Sequence, residues 1–140
     1  GILYTSYVII MKQPLNGPVL VGIFTIFGFG IFGKHLKNVF PILVGTLIAY
    51  FLNIYDPKSI SATVTILFAT NLAPVAGEYG FIAGIFAGFC HVSIVSSVGL
   101  LHGGLNLYNN GFSGGFVAAT LVPIFESIRN SRFFDKNEEE

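Results

Sequence analysis

The sequence predicts an all-α fold: a multispanning transmembrane helical bundle with one or two short broken or re-entrant helices. Three observations predict it. Only 10% of the 140 residues are charged and 53% are hydrophobic, where an average soluble domain is roughly 25% charged. Mean hydropathy is +0.74. Between Val19 and Ile128 the only charges are Lys34, Lys37, Asp56, Lys58, Glu78 and Glu126, and none falls between Tyr79 and Phe125. A soluble domain this small needs more polar surface than these residues can cover. The same composition excludes a disordered chain. A net charge of 0 without a basic stripe excludes nucleic acid as a partner and leaves the lipid bilayer.

A spanning helix needs about 20 apolar residues. Ile2 to Ile10 is already apolar and has no basic stretch ahead of it, unlike a signal peptide. It reads as the tail of an earlier helix. Residues 1–140 are therefore expected to form a single transmembrane domain, the C-terminal part of a longer protein whose N-terminal portion is a partner in the fold. The first clear run is Pro18 to Gly33, with proline suiting a helix start and Gly33 its end. Val39 to Tyr55 is the second, bounded by Asp56-Pro57. Ser59 to Leu72 is the third, capped by Ser59 or Ser61 and stopped by Asn71 with Pro74. As a helix it reaches only about 20 Å, short of the roughly 30 Å hydrocarbon core. Tyr79 to Leu101 is the longest, about 35 Å. Gly114 to Ile128 is a fifth run, again short.

Before that fifth run lies the uncharged, Gly/Asn-rich stretch Gly103 to Gly115. It reads either as an aqueous loop between spans or as a re-entrant segment beside a substrate path. Irregular backbone at membrane depth is tolerated only where it is buried in protein or lines a water-filled cavity. Orientation follows the basic residues. The Lys34-His35-Leu36-Lys37 loop and the tail over residues 129–140, which carries Arg129, Arg132 and Lys136, are both expected in the cytoplasm.

Gly80, Gly84 and Gly88 recur every four residues, with Ala83 and Ala87 on the next stripe. Such a small-residue face lets a neighbouring helix approach closely, in the same chain or in a second protomer of a homo-oligomer. Ala83, Ala87, His91 and Val95 share one stripe, so His91 is expected to face protein rather than lipid. An ionisable residue near the middle of a span marks either a functional path or a hydrogen bond that holds the bundle. Neutral imidazole donates and accepts, which suits a polar solute or a proton relay. Cys90 reads as a small core residue. His102 suits a helix C-terminus. Glu126 is spaced to pair with Arg129. Glu78 favours a helix start, or else lines a cavity beside Asn71 and Pro74.

No paired cysteines, His-Glu-x-x-His spacing or phosphate-binding glycine loop occurs, so no metal and no cofactor is expected. Gly111-Phe112-Ser113-Gly114 resembles the Gly-x-Ser-Gly of rhomboid-type intramembrane serine proteases, and His102 to Asn106 resembles their His-x-x-x-Asn. In that family the two motifs sit on different helices and the general-base histidine follows the serine. Here they lie almost end to end, and no histidine follows Ser113.

Three stretches carry a broader resemblance: Lys37-Asn38-Val39-Phe40-Pro41-Ile42, Asn71-Leu72-Ala73-Pro74-Val75-Ala76-Gly77-Glu78-Tyr79-Gly80, and His102 to Gly115. They resemble the C-terminal part of a bacterial multispanning membrane family known as domain of unknown function 1576. Its members are considerably longer than this chain. The resemblance implies location and topology, and carries over no catalytic or binding residue. Tyr108-Asn109-Asn110, leading into Gly114-Gly115-Phe116-Val117, is similar to the Tyr-Asn segment that opens a helix in urea-channel proteins. Those conduct a small neutral polar solute. Here a second Asn and Gly111-Phe112-Ser113 intervene.

The expected function is transport or channelling of a small polar solute across the cell membrane, without enzymatic activity. The expected path comprises Asn71, Glu78, His91, His102, Asn106, Asn109, Asn110 and Ser113, whose side chains would replace water around the solute. His91 would be its midplane group. The alternative is a structural or assembly membrane protein; an intramembrane serine hydrolase is the remote third.

Overall fold

The structure is a computed structural model and describes residues 2–10, 12–30, 34–52, 59–99 and 106–138. Among these, seven α-helices follow one another: α1 (Ile2–Ile10), α2 (Gly17–Phe29), α3 (Leu36–Phe51), α4 (Ile60–Ala69), α5 (Ala73–Tyr79), α6 (Phe81–Val98) and α7 (Asn106–Glu138). Asn16 caps α2, its side chain accepting from Val19 N at 3.2 Å, and Pro18 occupies the first turn. The helix α3 starts before the expected Val39, takes in Lys37 and Asn38, and runs through Pro41. Ser59 caps α4, accepting from Ala62 N at 3.0 Å.

The expected stop at Asn71 and Pro74 does not occur. After Ala69 the backbone tightens into one 3₁₀ turn, Thr70–Leu72, and resumes as α5. Pro74 falls in the first turn of α5, where its missing N–H costs no hydrogen bond. Ile60–Tyr79 is thus one rod of 20 residues, long and apolar enough to cross a membrane. The break comes at Gly80, whose φ of 91° and ψ of −176° suit glycine alone. Its N–H closes α5 on Ala76 O at 3.0 Å, and its carbonyl accepts from Gly84 N at 3.1 Å to open α6.

The Gly/Asn-rich stretch is also a correction. It is helical from Asn106 onward; Gly103 to Leu105 lie outside the described residues. The expected short fifth segment is part of the longest helix, and Tyr108–Ser131 is 24 residues and apolar enough to cross. With Phe81–Val98, this makes three helices of spanning length and composition among the described residues; α2 and α3 are apolar but shorter.

Contacts order the helices in space. α3 and α6 run side by side in the same direction, with Gly84 against Pro41, Gly88 against Ile42, and Gly45 against Ile85 and Phe89. The small-residue face is therefore filled by a helix of the same chain. Gly80 takes no part in it: a Cβ there would meet nothing within 4 Å, and its task is the corner. The α4–α5 rod runs the other way. Tyr50 near the end of α3 donates to Ala62 O at 2.9 Å, while Gly77 abuts Asn38 near the start of α3. The helix α7 runs opposite to α6, its start beside His91 and its later turns reaching Glu78 and Tyr79. α2 lies on α4 through Gly22 and Leu67, and α1 joins them through Val8, Val19 and Val64. The basic α2–α3 link, the Gly80 corner and Arg129 accordingly collect at one end of the bundle. The outward faces carry Phe24, Ile82, Phe86 and Phe116, all half or more exposed, a surface suited to lipid and not to water.

Candidate functional site

Polar side chains inside an apolar bundle are costly, so their placement is the first guide to a site. The stripe Ala83, Ala87, His91 and Val95 on α6 is buried, as expected from its spacing. Against it the first turns of α7 set Asn109, Asn110 and Ser113, all within 8% of complete burial. His91 Nε2 lies 3.2 Å from Asn110 Oδ1. An amide oxygen only accepts, so Nε2 carries the proton and donates. The Ser113 hydroxyl donates to the His91 main-chain carbonyl at 2.9 Å. Its proton is thus directed at a peptide oxygen, not at the imidazole of a serine–histidine pair.

Two acceptors in this cluster lack a partner among the described residues: His91 Nδ1 and Asn109 Oδ1. An unmatched buried acceptor costs about 1–3 kcal/mol, and such groups call for a functional or structural account. His91 is central in α6, yet its neighbour Val92 packs with Ala62 and Ile66 of early α4, and Asn110 is in the second turn of α7. The cluster therefore lies towards the end of the bundle opposite the basic link.

The other expected path residues are elsewhere. Asn71 sits on the 3₁₀ turn, half-buried, and accepts from Lys34 Nζ at 2.8 Å. Burial pushes the Lys34 ammonium down to about 8. Glu78 is exposed and ion-paired with Arg129, 2.6 Å from Nη1, so it lines no cavity with Asn71. The expected Glu126–Arg129 pair gives way to this one, and Glu126 accepts from the Tyr79 hydroxyl at 3.2 Å. An exposed pair of this kind adds little to stability, because solvent screens it. His102 lies outside the described residues, and of Asn106 only the backbone is described.

Sequence reasoning missed Thr65 and Tyr4, whose buried hydroxyls have no partner among the described residues. A threonine in an apolar run gives no signal of its own, because its hydroxyl so often bonds back to its own helix, as Thr70 does to Leu67 O. Among the described residues no three His, Cys, Asp or Glu side chains converge in a group that could hold a metal.

Spanning-length apolar helices, lipid-suited outer faces and polar groups turned inward define an integral membrane protein of the helical class. The chain belongs to the family described as "Protein of unknown function (DUF1576)", which matches residues 1–127. No curated protein and no solved structure matches the chain.

Proposed function

We propose that the protein conducts a small polar solute across the membrane, and that His91, Asn109, Asn110 and Ser113 form the polar station on its path. One observation carries the reading: two buried acceptors, His91 Nδ1 and Asn109 Oδ1, are left without donors among the described residues, beside the His91–Asn110 and Ser113–His91 hydrogen bonds. Unmatched acceptors select a solute that brings N–H or O–H donors, such as a small amide, rather than an anion. Asn71 and Lys34 would meet the solute later, in the half of the bundle nearer the basic end. Both basic elements lie at that end, which the charge rule assigns to the cytoplasm. The His91 station would then be the outer one.

The test is solute flux into liposomes carrying the full-length protein, followed by stopped-flow light scattering with urea, glycerol and small amides. Replacing His91 by Ala is expected to slow amide flux about tenfold, the effect of losing one buried hydrogen-bonding partner, with helicity retained. Flux unchanged in that variant would remove His91 from the path. The structural reading draws on the two hydrogen bonds joining α6 to α7, which also serve to hold a bundle. Cys90, next to His91, separates the two: a polar thiol reagent reaches it along a wet path and not in a dry bundle.

A further inference from the structure

The link between α2 and α3 carries Lys34 and His35, the first turn of α3 carries Lys37, and all three line one hollow of about 690 Å³. Its remaining walls are mostly apolar, built from Ile2 and Tyr4 of α1, Ile26 and Phe27 of α2, and Val39. Among the described residues no carboxylate is paired with any of these three basic side chains; the one ion pair joins Arg129 to Glu78. The start of α3 opens into the same hollow, and His35 makes no side-chain cap to its first turn. The positive end of that helix adds to the field of the side chains. Leu36 connects the hollow to two further grooves. One, of about 240 Å³, runs between α1 and α3 past Tyr7, Leu43 and Leu47. The other, of about 470 Å³, lies on the α6 side of the same Leu36–Leu43 stripe, past Phe40 and Phe81. Both are almost wholly apolar, and the Lys37 stem enters the second.

We propose that this surface binds one anionic phospholipid, its phosphate held by Lys34, His35 and Lys37 and its two acyl chains lying one in each groove beside α3. The geometry asks for both halves of such a molecule. Basic side chains without carboxylate partners, at the end of the bundle, sit where headgroups lie, and basic pockets between spanning helices recognise anionic headgroups. A free phosphate would leave the two grooves unused. A lipid without net charge would leave the lysines unmatched. Lys34 also holds Asn71, so the bound phosphate touches the α4–α5 rod through one side chain.

The test uses the full-length protein in nanodiscs of equal parts phosphatidylglycerol and phosphatidylcholine, extracted into a neutral detergent, with retained lipid counted by native mass spectrometry. Phosphatidylglycerol should be retained about tenfold over phosphatidylcholine, in keeping with two or more cations at one headgroup. The preference should vanish in K34Q/K37Q and survive in K34R/K37R. Should K34Q/K37Q lose its helicity, H35Q/K37Q leaves the Lys34–Asn71 bond in place and should still lower the preference about fivefold. Equal retention of the two lipids overturns the proposal, as does a preference unchanged in H35Q/K37Q. Displacement of the lipid by millimolar inorganic phosphate also overturns it, because the acyl grooves would then contribute nothing.

Discussion

At the scale of single residues, the chain places two kinds of polar group in an apolar setting, and they behave differently. His91 is buried, bonded through Nε2 and without a partner at Nδ1 among the described residues. Lys34 keeps a cation half-buried against Asn71. Burial holds Lys34 at about 8 against the usual 10.5, so the folded protein binds this proton less tightly than the unfolded chain. Its stabilising contribution is complete above about 10.5 and is lost as pH falls through about 8. The melting temperature in neutral detergent should therefore rise between pH 7 and pH 10 in the wild type, and rise less in Lys34→Met. Equal slopes in the two proteins would show that Lys34 is fully solvated. The burial of His91 was legible in the sequence because its neighbours on the four-residue stripe are small and apolar. Its partner was not, since Asn110 lies on another helix and no local spacing links the two. The Lys34–Asn71 bond is hidden for the same reason.

At the scale of elements, prolines and glycines decide where the rods begin and end, and the same letters do different work. Pro74 opens a turn instead of closing a helix, because Leu72 and Ala73 are already helical when the chain reaches it. A reading from local propensity counts proline as a stop and cannot see that it has entered a first turn. Gly80 shares a spacing with Gly84 and Gly88, but only the latter two sit at a helix–helix contact. Gly80→Ala should cost about 1–3 kcal/mol from backbone strain alone, measured by denaturant titration in detergent. Gly88→Ala acts by another route, since the added methyl would fall on the Ile42 carbonyl. It should part α3 from α6 and cost at least as much, about 1–3 kcal/mol for overpacking. If Gly88→Ala proves the milder of the two, α3 and α6 are less closely packed than described.

At the scale of the whole molecule, the membrane character was legible from composition, and so was the all-helical class. Segment lengths were less so, because two runs that end early by hydropathy are continued by Val75 to Tyr79 and by Asn106 to Ser113, whose helical state rests on packing against α6. The outer face of α6 makes this testable. Phe86 is half exposed and faces away from the core, so Phe86→Lys would set a charge against lipid. On translocon-type scales that change costs about 2.5–3.5 kcal/mol near a helix centre. It should lower the yield of membrane-integrated protein, where Phe86→Leu should not; equal yields would place that face against protein.

The single-residue corner at Gly80 has a consequence for biogenesis. Two rods of spanning length, Ile60–Tyr79 and Phe81–Val98, are joined with no intervening loop. Neither can complete its crossing while the other waits in water, because no slack exists between them. The pair should leave the insertion machinery as one helical hairpin. Lengthening the corner with a short Gly/Ser insertion would let the rods integrate one after the other, and each could then be caught separately by crosslinking during synthesis.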